Sequence, residues 1–74
     1  MVYKNQMLTF RKDQDFDPNQ DMMIAGDNSI IKGKCIEYGR SGWHRTWKII
    51  DKDGVEQLLF NTFDTLVAVN GKAV

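Results

Sequence analysis

The sequence predicts a mostly β domain built on a small curved antiparallel sheet, and three observations lead there. Trp43 to Ile50 alternates with period two, setting Trp43, Arg45, Trp47 and Ile49 on one face and His44, Thr46, Lys48 and Ile50 on the other. Asp51-Lys52-Asp53-Gly54 then places Asp first and Gly fourth, the chemistry of a type I turn followed by a left-handed glycine, so a hairpin is expected. Registering that hairpin with Asp51 facing Val55 sets Ile49 opposite Gln57 and Trp47 opposite Leu59, while Lys48 meets Leu58 and Thr46 meets Phe60 on the reverse side. Both faces therefore carry apolar residues, as happens when strands pass from interior to surface on a strongly curved sheet.

The remaining elements follow in chain order. Val2 to Phe10 alternates imperfectly and predicts a first strand over Tyr3 to Phe10. Arg11 to Gln20 is polar, contains the only proline, Pro18, and reads as a loop. Met22 to Ala25 reads as a short strand closed by the turn-prone Gly26-Asp27-Asn28-Ser29. Ile30 to Tyr38 is a second long strand, with Gly33 marking a bulge or sharp bend, and Gly39-Arg40-Ser41-Gly42 is the turn into the Trp43 strand. The C-terminus supports two readings. Asn61 or Thr62 caps a short helix over Phe63 to Val69, which would make the class α+β, or Leu66 to Val69 is a strand returning through an Asn70-Gly71 turn.

This order of a Gly-interrupted strand, a basic-aromatic strand, an Asp-Gly hairpin and a strand ending in Phe60 resembles the SH3-like and OB-like small barrels in outline. The resemblance implies no single function, because such barrels bind peptides, RNA and DNA and assemble subunits. The 74 residues, 42% apolar and 11% aromatic, suit one folded domain over 1–74 with a thin core, and self-association as a homodimer would enlarge that core. The longest apolar runs, Met22 to Ala25 and Leu66 to Val69, fall far short of the roughly 20 residues a spanning helix needs, so no membrane partner is expected. The first ten residues lack the order of a secretory signal, and Cys35 has no second cysteine to pair with, so a reducing cytoplasm is the expected setting.

Cys35 and His44 form the one conceivable thiol-imidazole pair, but Cys35 carries no catalytic signature and reads as a small core residue. One cysteine and one histidine cannot build a usual zinc site. Asp13, Asp15 and Asp17 have the alternation of a calcium loop, but Pro18 stands where its glycine belongs and Ile24 where its last glutamate belongs. No phosphate-cradling glycine loop is present in Gly39-Arg40-Ser41-Gly42. No cofactor and no metal are expected, and the chain is expected not to be an enzyme.

Charge is the remaining signal. Ten basic and ten acidic side chains cancel, which argues against binding driven by phosphate neutralisation alone. The distribution is uneven: Lys32, Lys34, Arg40, Arg45 and Lys48 face only Glu37 between positions 32 and 48, while Asp13 to Asp27 holds five aspartates and no cation. Arg40, Trp43, His44, Arg45 and Lys48, extended by Lys32 and Lys34, form the candidate binding set, because Arg and Trp dominate interface hot spots. Arg45 is expected to lie against the Trp43 ring, while Trp47 with Ile49 reads as core. The expectation is a protein-binding module, an inhibitor or adaptor acting on an acidic partner protein, compatible with a phage or mobile-element accessory role. The alternative is nucleic-acid or nucleotide binding by the same basic segment on one curved sheet.

Overall fold

A computed structural model describes residues 3–74, and all of its regular structure is strand. The strands are β1 (Met7–Lys12), β2 (Gln14–Asp17), β3 (Met22–Ala25), β4 (Ile30–Ser41), β5 (His44–Ile50), β6 (Glu56–Phe60), β7 (Asp64–Val69) and β8 (Lys72–Ala73). Six of them form one antiparallel sheet in the order β6-β5-β4-β1-β7-β8, and β2 with β3 forms a separate hairpin. No helix in the described residues is long and apolar enough to cross a membrane.

Chain length forces this sheet to curl. Strands β6 and β7 are four places apart, about 19 Å in a flat sheet, yet only residues 61–63 join them, and four Cα–Cα steps reach at most about 14 Å. The link is tighter still, because the Phe63 amide donates back to the Phe60 carbonyl at 3.0 Å. The same strap holds both sides of the sheet together: Asn61 donates to the Arg45 carbonyl, and the Phe63 carbonyl accepts from Asp13 and Gln14 at 2.9 and 3.0 Å. The sheet nevertheless stays open, since among the described residues β6 pairs only with β5 and no strand joins it to the far side. The curved antiparallel sheet is therefore what the fold shows.

The core lies on the concave face. Leu8, Phe10, Cys35, Trp47, Ile49 and Leu59 are buried there, with Tyr3, Ile31, Tyr38, Leu66 and Val69 packed around them. Each such large side chain contributes about 1.5–3 kcal/mol on burial. Trp47 is the hub, with Tyr3, Phe10 and Tyr38 rings at centroid distances of 6.4, 5.2 and 5.6 Å.

The Asp51 hairpin forms in the register its sequence predicts: Ile49 faces Gln57, Trp47 faces Leu59, Lys48 faces Leu58 and Thr46 faces Phe60. The Asp51 carboxylate organises the turn, accepting from the Asp53 and Val55 amides at 2.9 and 3.0 Å.

Other expectations need correction. The first strand begins at Met7, because Tyr3 to Gln6 folds into a turn in which Asn5 takes a φ of 70° and Gln6 donates to the Tyr3 carbonyl. Met1 and Val2, which entered that alternation, lie outside the described residues. The segment read as a loop over Arg11 to Gln20 contains the end of β1 and all of β2, which pairs with β3 through Asp15 and Ile24, and Phe16 and Met23. Strand β4 runs on through Ser41, so the turn expected at Gly39–Gly42 shrinks to Gly42-Trp43. Gly42 has a φ of 61° at the first of the two turn positions, the place glycine fills in a type II′ hairpin. At the C-terminus the strand reading applies and the α+β helix does not form. Leu66 and Val69 pair with Phe10 and Leu8 across β1, and Asn70 and Gly71, at φ of 53° and 82°, make the left-handed pair of a type I′ turn.

Candidate binding surface

The β4–β5 ladder outruns the core. Tyr38 opposite Trp47 is the last pair that touches the core, and Gly39–Thr46, Arg40–Arg45 and Ser41–His44 follow it outward to the Gly42-Trp43 turn. This projecting arm is anchored at its base by a reciprocal pair of hydrogen bonds. The Asn61 amide donates to the Arg45 carbonyl at 3.1 Å, and the Arg45 amide donates to Asn61 Oδ1 at 3.1 Å.

Two guanidinium groups and one indole define the arm. Arg40 and Arg45 stand directly opposite each other on adjacent strands, on the face that continues from Tyr38 and Trp47. Neither takes part in an ion pair among the described residues, where the pairs are Arg11–Asp13 and Lys48–Glu37 at 2.7 and 3.6 Å. Trp43 is 96% exposed at the tip. With Arg40, Gly42 and Arg45 it lines a shallow groove of about 520 Å³. The expected stacking of Arg45 on Trp43 does not occur: Trp43 sits in the turn instead of the strand, and Arg45 Nη1 donates to the Tyr38 hydroxyl at 3.4 Å.

A β-bulge decides whether Lys32 and Lys34 join this surface, while the alternation of β5 places His44 and Lys48. The β4–β5 register shifts between Cys35 and Glu37, leaving Ile36 as the extra residue. Without it, Lys32, Lys34, Ile36, Tyr38 and Arg40 would all share one face. With it, Cys35 and Gly33 face the core on one side of the bulge, and Tyr38 and Arg40 take over that face on the other. Lys32 and Lys34 consequently lie on the convex face at the far end of β4, beside a groove of about 710 Å³ that also involves Met7 and Ile50. Lys48 is on the convex face too, neutralised by Glu37, and His44 lies there opposite Ser41. Of the seven residues singled out in the sequence, Arg40, Trp43 and Arg45 therefore share the arm, His44 lies on the arm's convex side, and Lys32, Lys34 and Lys48 lie elsewhere on the convex face. The bulge falls at Ile36, while Gly33 is a site of close approach, its hydrogen facing the Ile50 carbonyl.

The thiol and imidazole are also held apart. Cys35 lies opposite Ile49 and His44 opposite Ser41, six residues farther along β4, which is about 20 Å of strand. The Cys35 side chain is fully buried, donates toward the Glu37 carbonyl at 3.5 Å, and has its pKa pushed up by burial. Among the described residues no three acids, histidines or cysteines are grouped to hold a metal ion. Asp13 instead pairs with Arg11, whose hydrogen bond holds its carboxyl below the usual range.

One residue escaped sequence reasoning. Asp64 opens β7 opposite Lys12 on the concave face and is only 6% exposed, with its Oδ1 covered and without a donor. Burial raises its pKa, Lys12 opposes that rise, and the nearby Asp13 and Asp15 add to it. The available signal was parity, since Asp64 shares its strand face with Leu66. No protein-family model matches the chain, and comparison with curated proteins and with solved structures found no match.

Proposed function

We propose that the protein is a non-enzymatic binding module that grips an acidic surface of a partner protein with its β4–β5 arm. The observation that carries this reading is the fully projecting Trp43 beside two opposed arginines that have no carboxylate partners among the described residues. Like charges directly across a strand pair destabilise the free protein. A carboxylate brought by a partner turns that repulsion into charge-assisted, bidentate hydrogen bonds, for which guanidinium is the best-shaped donor. An indole of this kind covers about 150–250 Å² on docking, a gross gain of about 4–6 kcal/mol before association costs. An inhibitor or adaptor role is the form we assign to such an activity. The finer fold reading is an SH3-like half-barrel, supported by the meander β1-β4-β5-β6 whose last long strand, β7, returns beside β1.

Nucleic-acid binding by the whole basic segment is less well supported, because the Ile36 bulge sends Lys32 and Lys34, and the alternation of β5 sends Lys48, to the face opposite Arg40 and Arg45. The test is titration with a capped glutamate-rich peptide and, separately, a single-stranded oligonucleotide, both at low salt and followed by calorimetry. The peptide is expected to bind wild type and to lose at least tenfold in affinity with Trp43→Ala or Arg45→Ala. Oligonucleotide binding that Arg45→Ala removes, with no response to the peptide, overturns the reading.

A further inference from the structure

The open seam of the half-barrel carries a second site, independent of the arm. Between the free edge of β6 and the chain from Lys12 to Phe16 lies a cleft of about 320 Å³. Its walls are aromatic: Phe16 is half-exposed at the rim, and the Phe60 and Phe63 rings meet edge to face at 5.8 Å. Asp64 lines it, more than nine-tenths buried and with an unpartnered carboxylate oxygen, and Asp15 adds a second carboxylate. Lys12 lies across from Asp64 in the sheet but is not within ion-pair distance of any carboxylate among the described residues.

Each feature selects the same kind of occupant. A buried acceptor without a donor costs about 1–3 kcal/mol, more when it is charged, so a donor cation that reaches it is strongly favoured. Aromatic faces attract an ammonium or guanidinium group through their quadrupoles and repel an anion. The volume is at the lower end of ligand sites and suits one side chain. Beside the cleft, β6 is an edge strand whose outward backbone groups lie at Glu56, Leu58 and Phe60; among the described residues the Phe60 carbonyl is taken by the Phe63 amide, no other strand pairs with this edge, and neither Pro, Lys nor a bulge blocks it. An extended polypeptide pairs with such an edge by adding a strand.

We infer that this seam binds an extended peptide segment of a partner protein, with its main chain on the β6 edge and a lysine or arginine side chain in the cleft against Asp64, Phe16 and Phe63. The cation supplies the donor that Asp64 lacks, and the added strand occupies the gap that the sheet leaves open.

Two probes test this, the capped peptide Ac-Thr-Val-Lys-Val-Thr-NH2 and its counterpart with norleucine in place of lysine, added to the full chain and followed by amide chemical shifts and calorimetry. The lysine peptide is expected to shift β6 and residues 63–64 and to bind at least tenfold more tightly than the norleucine peptide. Asp64→Asn is expected to erase that difference, and Phe16→Ala, at a rim position outside the core, to reduce it with the fold intact. Trp43→Ala is expected to leave it unchanged, which separates this site from the arm. Absence of binding by either peptide, equal affinity for both, or shifts confined to residues 40–45 overturns the inference.

Discussion

Arg40→Glu should make the protein more stable while abolishing the acidic-peptide binding proposed for the arm. In the native ladder Arg40 and Arg45 are direct cross-strand neighbours and carry no ion pair among the described residues. Two unit charges about 6 Å apart repel by roughly 0.7 kcal/mol in water-like surroundings. Reversing one sign removes that repulsion and adds a comparable attraction, offset in part by the entropy of holding two exposed side chains together. The expected net gain is about 0.5–1 kcal/mol, or a rise in Tm of roughly 2–8 °C for a domain of this size. Thermal unfolding read by circular dichroism at low salt measures it. At about 1 M salt the screening length shrinks to about 3 Å, and most of the gain should vanish. A destabilised variant, or a gain insensitive to salt, refutes the electrostatic account of the arm. A stabilised variant that still binds the glutamate-rich peptide as wild type does refutes the role assigned to Arg40.

Trp43→Ala should change the free energy of unfolding in urea by less than about 0.5 kcal/mol, because the indole is 96% exposed and supports no core contact. Gly33→Ala should lose about 1–3 kcal/mol in the same assay, since its new Cβ would stand 2.7 Å from the Ile50 carbonyl oxygen. Gly39→Ala is its control: the nearest atom is Thr46 Oγ1 at 3.4 Å, and stability should hold or rise by up to about 1 kcal/mol. The pH dependence has two opposite contributions. The Asp51 pKa is lowered by its hydrogen bonds, chiefly from Val55, so its contribution is present above 3.8 and is lost as pH falls through the folded value. The Asp64 pKa is raised by burial, so its contribution is present below 3.8 and is lost as pH rises through the folded value. Asp64→Asn should therefore improve in Tm relative to wild type as pH rises from about 4 to 7. A flat difference across that range would mean that the carboxyl is not desolvated.

Local rules made part of this molecule legible before any coordinates. The Asp51 hairpin and its register follow from one turn motif and a period-two pattern, because a short loop leaves the flanking strands only one pairing that buries Trp47 and Ile49. The same is true of the Asn70-Gly71 turn once a helix is ruled out by the partners β1 provides. Strand β3 was read at its own bounds, Met22 to Ala25, but its partner β2 was not legible: Phe16 stays exposed, as do Met22, Met23 and Ile24, so no buried stripe announces the hairpin.

For the candidate site, sequence alone determined which residues have the chemistry, the arginines and the indole between positions 40 and 45, and that a β hairpin would present them. Only the tertiary structure decided which of the candidate residues share a face. A single extra residue at Ile36 inverts the alternation of β4, and nothing in the neighbouring side chains records where a strand must bulge to follow a curling sheet. The Asp64 cleft was hidden for the same reason. It exists because a three-residue strap draws the ends of β6 and β7 together, a constraint set by strand order across the whole sheet and by no local pattern.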